Sequence, residues 1–350
     1  MWKGTLQASQ PTTRRLKVRT PLSWCRTLAR WRPLPSLALA AFALLEAGNS
    51  SAQKETPQGK ILEIENKAAA ALTVHVDEVD LSFAVRDKHH RWINDLSQDE
   101  IRLRDNGQPP ESIRMFQSEA NLPLRIGLLV DTSDSISQQF DFEKRAAGLF
   151  ISQIVDSSKD LAFVLGFNTE PYLIQDLTAD TQALASGVKE LDLGGGTAVY
   201  DAIDFAYHRL LQQGEKSSIR RVLILLTDGE DNSSHSQPEQ IIKDALQYNI
   251  VVIVLDTQVD PDPETPQYKI LQKLAQETGG QLLPAGKKKD LERTFKELST
   301  QLRSYYRLAY RPAQFIRDGT FRKIQLKTTR RGAHIICRRG YYATAGADER

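Results

Sequence analysis

Arg125-Ile126-Gly127-Leu128-Leu129-Val130-Asp131-Thr132-Ser133-Asp134-Ser135 runs from a continuous apolar segment straight into an alternation of one acid and two serines. An apolar run of this length suits a strand of a parallel sheet, whose two faces are both covered. Asp131, Ser133 and Ser135 then fall at the carboxyl end of that strand, just before a helical pattern. In an open α/β sheet this end is where ligands bind.

Similar apolar runs occur at Leu161–Phe167, Val222–Leu226 and Ile250–Leu255. Helical spacing separates them. Phe140, Ala147, Phe150, Ile151 and Ile154 mark one stripe, and Ala202, Phe205, Ala206 and Leu210 a second. Ile242, Ala245 and Leu246 mark a third, and Ile270, Leu271 and Leu274 a fourth. Leu291, Phe295, Leu298, Leu302 and Tyr305 step by four and three and predict one amphipathic helix. Strand–helix alternation predicts an α/β fold, a doubly wound and mostly parallel sheet. Tyr172–Leu177 follows Phe167 after a short link and is expected to pair antiparallel at the sheet edge.

The flanks read as β structure. Val74 and Val76, then Val79, Leu81, Phe83 and Val85, alternate with period two, and Asn106-Gly107 is a tight-turn signal. Ile324, Leu326 and Thr328 alternate with Lys323, Gln325 and Lys327, and a last strand is expected through His334–Cys337. The expected organisation is a leader over 1–52, a linker over 53–71, a β segment over 72–118, the α/β domain over 124–309 and a second β segment over 310–343. The two β segments are expected to pack together as one small unit.

Two further segments join the first at the strand ends. Gly194-Gly195-Gly196-Thr197 opens the helix containing Asp201, and Thr227-Asp228-Gly229-Glu230-Asp231-Asn232 follows the strand Val222–Leu226. Together they offer Asp131, Ser133, Ser135, Thr197 and Asp228, all oxygen donors. Hard oxygen donors suit Mg²⁺, Mn²⁺ or Ca²⁺ over Zn²⁺ or copper. Two carboxylates roughly balance a 2+ ion while three hydroxyls add no charge, so the ion keeps waters. One of those positions is open to a carboxylate from another molecule. Taken singly, each segment has a plainer reading: a helix cap, a flexible glycine loop, a turn aspartate. Asp201, Glu230 and Asp231 read as solvated or as supports for the donors.

All three segments together resemble the metal-ion-dependent adhesion site of the von Willebrand factor A family. The Asp-x-Ser-x-Ser motif falls on Asp131, Ser133 and Ser135, its threonine on Thr197 and its Thr-Asp-Gly aspartate on Asp228. The flanks, ending in Gly340-Tyr341-Tyr342, are similar to a bacterial group often called the acidobacterial type. The resemblance spans roughly residues 72–343. It implies secretion, a divalent cation (Mg²⁺ first, Mn²⁺ or Ca²⁺ as alternatives) and a protein ligand supplying an acidic residue. Asp134 departs from the family's usual glycine. If that position needs positive φ, aspartate tolerates it better than most residues.

An enzyme at the same strand end, transferring phosphoryl groups or hydrolysing with a metal, is the competing reading. Position 133 is serine where a second acid would be wanted, and no general base is evident, so the chain is read as a binding protein. A structural envelope role, the metal only bracing loops, is the third reading.

The chain of 350 residues is 40% hydrophobic and 26% charged, enough to build a core. Its formal charge of +2 hides an uneven distribution. Residues 1–52 carry eight basic residues and one acid, residues 303–342 have a net charge of +10, and residues 53–302 have a net charge of −14. The basic start, the apolar Leu34–Leu45 and Ser50-Ser51-Ala52 form the three-part pattern of a secretory signal, which predicts a secreted, periplasmic or envelope location. Arg14-Arg15 leaves a twin-arginine route open. With Cys25 in that leader, Cys337 has no partner for a disulfide. The basic C-terminal segment suggests a weak contact with an anionic surface. No nucleic-acid partner is expected for an exported chain.

Overall fold

Alternating burial marks the first short strands among the described residues. The computed structural model describes residues 78–136, 140–211 and 219–343. The expected leader, the linker, Val74 and Val76 lie outside the described residues. β1 (Val79–Arg86), β2 (Ile101–Asp105) and β3 (Ser112–Ser118) come first. In β2, Ile101, Leu103 and Asp105 point inward while Arg102 and Arg104 face solvent, the period of a half-buried strand. Asn106 and Gly107 then turn the chain with φ of 48° and 85°, values that asparagine and glycine accept most readily.

Among the described residues the central sheet has six strands. β4 (Leu124–Asp131), β5 (Leu161–Phe167), β6 (Pro171–Thr178), β7 (Arg220–Thr227), β8 (Ile250–Asp256) and β9 (Leu282–Pro284) stand in the order β6-β5-β4-β7-β8-β9. All neighbours run parallel except β6, which pairs antiparallel with β5 at one edge. β7 and β8 are buried along their whole length, as strands covered on both faces must be. At Gly127 in β4 there is no room for a side chain: a Cβ would stand 2.5 Å from both Leu223 and Phe163.

Among the described residues six helices cover the sheet: α1 (Phe140–Ile154), α2 (Thr181–Lys189), α3 (Val199–Leu211), α4 (Pro238–Gln247), α5 (Pro266–Thr278) and α6 (Lys288–Gln301). Side chains of α1, α2 and α6, such as Phe150, Val188 and Phe295, share a core with Ile126 and Leu128. Side chains of α3, α4 and α5, such as Ile203, Leu246 and Leu274, share another with Leu129 and Leu225. Successive residues of β4 thus feed opposite layers, and the sheet is doubly wound.

The second β part closes the chain with β10 (Tyr305–Arg311), β11 (Phe321–Thr328), β12 (His334–Cys337) and β13 (Gly340–Tyr342). It joins the first part in two small antiparallel sheets, β12-β1-β10-β3 and β13-β11-β2. β2 and β3, although separated by a tight turn, enter different sheets. Leu81, Phe83, Leu103, Leu308 and Ile324 form the core between them. Buried Asp105 accepts hydrogen bonds from the Tyr310 and Tyr341 hydroxyls, 2.8 Å each. Cys337 packs beside this core, and burial pushes its thiol up to about 11, which leaves it a poor nucleophile at neutral pH.

Three features differ from the sequence reading. The stripe through Leu302 and Tyr305 does not continue one helix: α6 stops at Gln301, and Tyr305 opens β10. Both side chains are buried, so an inward step of three is kept while the backbone changes state. β10 therefore straddles the boundary drawn at residue 309 and is an inner strand of a flanking sheet. The second difference is that α2 and β9 had no counterpart in the reading. Third, Phe205, placed on a buried stripe, is 38% exposed.

Asp180 starts α2 by accepting from the amides of Gln182 and Ala183 at 2.8 and 3.0 Å. Asp180→Ala should cost about 1 kcal/mol, the usual worth of an N-cap. Urea denaturation would measure it, and an unchanged midpoint would contradict the role given to this cap.

Candidate functional site

Asp131 is the last residue of β4 and only 1% exposed. Its Oδ1 accepts the Ser133 amide at 2.9 Å, and its Oδ2 accepts the Thr227 hydroxyl at 2.7 Å. These bonds tie the ends of the neighbouring strands β4 and β7 together. Burial pushes the Asp131 carboxyl up to about 6, against hydrogen bonds from Ser133 and Thr227 and with the nearby Asp228 carboxylate adding to the rise. The Ser133 and Ser135 hydroxyls stand 3.0 Å apart. Ser133 is buried and Ser135 is exposed. The structure thus brings Asp131, Ser133, Ser135 and Asp228 to one strand end.

Thr197 reaches the same edge through backbone clamps. The Gly194 amide donates to the Thr132 carbonyl at 2.9 Å, and the Asp134 amide donates to the Gly195 carbonyl at 3.4 Å. Gly194 and Gly195 have φ of 147° and 92°, which side-chain-bearing residues rarely adopt. On the other side, the Thr197 amide donates to Asn232 Oδ1 at 2.9 Å, and the Thr197 carbonyl accepts the Asn232 and Ser233 amides at 3.0 Å each. The glycine loop is therefore held between the first and third segments, with Thr197 1% exposed.

Asp228 is half-buried at the end of β7, and its carbonyl accepts the Gln258 side-chain amide. Asp201 and Asp231 have supporting roles. Asp201 accepts the amides of His235 and Ser236; burial opposes its ionisation, but these bonds outweigh it and hold the carboxyl near 2. Asp231 accepts the Tyr200 amide at 3.2 Å and the Ser234 hydroxyl at 2.7 Å. Glu230 is exposed. Asp134 does not adopt positive φ, so its departure from glycine needs no backbone explanation.

The sequence reading missed Glu143. It lies in the first turn of α1, is 1% exposed, and neither carboxylate oxygen has a hydrogen-bond partner. Burial, then the charges of Asp131 and Asp228, push it up to about 8. A signal existed: Glu143 stands three residues after Phe140 and four before Ala147, on the helix's apolar stripe. An acid at such a position is either paired or functional. Asp256, at the end of β8, is likewise pushed up to about 6 by burial, with Asp228 contributing.

Among the described residues there is no group of three or more His, Cys, Asp or Glu side chains placed to hold a metal. The set at β4 and β7 has a different composition, two carboxylates with serine and threonine hydroxyls. An acceptor-rich set without soft donors fits a hard divalent cation, and the half-buried Asp228 and exposed Ser135 keep one side open to solvent.

An open, mostly parallel sheet with oxygen-rich loops gathered at its carboxyl edge defines a Rossmann-like α/β domain. Residues 126–297 match the family described as von Willebrand factor type A domain. A comparison with curated proteins finds no match. Among solved structures, the chain is similar to the conserved hypothetical protein BatB from Bacteroides thetaiotaomicron, with 18% identity, a TM-score of 0.42, and coverage of 52% of this chain and 100% of that one. It is also similar to the PilB minor pilin from Streptococcus sanguinis, with 14% identity, a TM-score of 0.42, and coverage of 57% and 63%. A third is proximal thread matrix protein 1 from the mussel byssus, with 16% identity, a TM-score of 0.44, and coverage of 63% and 50%.

Proposed function

We propose that this chain is an exported binding protein that holds a divalent cation at a metal-ion-dependent adhesion site and presents it to an acidic residue of a protein partner. Asp131, Ser133, Ser135, Thr197 and Asp228 would hold the ion, with Mg²⁺ first and Mn²⁺ or Ca²⁺ as alternatives. The bound ion would supply an electrophilic point that a partner's carboxylate can reach. The chain's own residues fix that point. Thr227 and the Ser133 amide orient Asp131, and the clamped glycine loop holds Thr197 against both motif loops.

The observation that carries this reading is the buried Asp131 carboxylate, within the field of the Asp228 charge and at the same strand end as two serine hydroxyls 3.0 Å apart. A von Willebrand factor type A domain supports an adhesion or protein-interaction role. Export rests on the composition of residues 1–52. Among the described residues, no helix is long and apolar enough to cross a membrane. The basic C-terminal segment is partly neutralised from within: Arg307 pairs with Asp80, Arg322 with Asp318, and Arg330 with Asp95 and Glu100. This favours a protein partner over an anionic polymer.

Thermal unfolding in chelator and in millimolar Mg²⁺, Mn²⁺ or Ca²⁺ tests the site. An ion at a hundredfold excess over its dissociation constant should add about 2.7 kcal/mol, and Asp131→Asn, which keeps the side chain's shape, should remove the shift. No rise with any of the three ions, or an equal rise in the variant, would refute the reading. Capture of a native partner only in the absence of chelator would extend it to the bound protein.

A further inference from the structure

A cleft next to the Asp131 set contains polar groups for which the function proposed above has no use. It has a volume of about 230 Å³, and its lining includes Ser135, Glu143, Asp228, Thr257, Gln258 and Asp260. Asp131, Ser133 and Thr197 do not line it, so Ser135 and Asp228 stand between the two places. Glu143 comes from α1 and Thr257 from the loop after β8, yet both face this space.

Both are buried and unpartnered. Glu143 is 1% exposed with neither oxygen hydrogen-bonded, and Thr257 is 3% exposed with its hydroxyl unbonded. Burying a carboxylate without a donor or counter-ion is costly, and native proteins rarely leave such groups unmatched. None of the described residues lining the cleft is basic. At its outer end Asp260 is largely exposed and pairs with Lys287 at 3.4 Å. The charge facing Glu143 is negative, from Asp131 and Asp228. What the cleft lacks is a positive charge, and the donors it offers are hard oxygens.

The geometry points to a second divalent-cation position in this cleft, held by the carboxylates of Glu143 and Asp228 and the hydroxyl of Thr257. It rests on the function proposed above in one respect: Asp228 is shared with the ion at Asp131, and Ser135 lies between the two positions. Two carboxylates and a hydroxyl leave several coordination positions to water, as is usual for such cations. The cleft has space for those waters, each taking about 30 Å³. A cation there draws Asp228 between two ions and fixes the loop after β8 against α1.

Titration calorimetry of the full chain with Mn²⁺, and separately with Ca²⁺, tests this by stoichiometry. The expected result is two ions per chain in the native protein and one in Glu143→Gln, with Thr257→Val weakening the same ion at least tenfold. Glu143→Gln keeps the side chain's shape and removes a buried acid, so its thermal unfolding in chelator reports whether the fold is intact. One ion per chain, lost in Asp131→Asn and untouched by Glu143→Gln, would overturn the second position and leave the first standing. Two ions persisting in Glu143→Gln would also overturn it. No binding of either metal would remove both.

Discussion

Glu119→Leu is expected to lower the unfolding free energy by about 3–5 kcal/mol, the cost of leaving one member of a buried ion pair alone. Glu119 follows β3 and pairs with Arg220 at the start of β7, 2.5 Å between nitrogen and oxygen, with both side chains almost fully buried. The guanidinium also donates to the Leu302 carbonyl at 2.8 Å and lies 4.2 Å from the centre of the Tyr305 ring. The Glu119 amide in turn donates to the Tyr305 carbonyl at 2.7 Å. This cluster is where the small β sheets meet the central sheet, so its loss should loosen that junction as well as a contact. Arg220→Met should cost a similar amount. The double variant should cost much less than the sum, because well-packed apolar replacements of a buried pair are often near neutral. Urea denaturation of the three variants gives the coupling. Additive losses would mean that the pair contributes nothing as a pair.

That junction also shows where sequence reading stops. β4, β5, β7 and β8 are legible because strands covered on both faces must be apolar throughout. β9 is too short, Leu282–Pro284, to carry a period. α2 buries only Leu184, Gly187 and Val188, and its clearest mark was the cap at Asp180. Tyr305 misled because a residue one helical step from Leu302 is also a plausible inward residue of a strand. In the folded chain β10 pairs with β1 and β3, which are distant in sequence, and that pairing makes Tyr305 part of a strand. Asp131, Ser133, Ser135, Thr197 and Asp228 could be proposed as a set because each follows or opens an element whose place in the sheet the pattern gives. Glu143 escaped because the helix stripe was read from apolar residues alone. Thr257 escaped because nothing near it resembles a motif; its relation to Glu143 exists only in the folded chain.

The metal-free protein should lose stability as pH rises from about 5 to 8, by on the order of 4 kcal/mol, since each unit between folded and unfolded pKa is worth about 1.4 kcal/mol. In the folded chain, burial and the charges of Asp131 and Asp228 hold the Glu143 proton up to about pH 8, against an ordinary value of 4.5. The unfolded chain releases that proton above its ordinary value. The contribution is therefore complete below that value and gone once pH passes through 8. Asp131 and Asp256, both pushed from 3.8 to about 6, act in the same direction but over a lower window. The interval between pH 6 and 8 thus belongs to Glu143. Urea denaturation in chelator should show a falling midpoint there, and Glu143→Gln should flatten it while raising stability at pH 8 by a few kcal/mol. A variant that falls as steeply as the native chain would place the titrating group elsewhere. A native chain with no slope in that interval would mean that Glu143 is already matched by a partner within the fold.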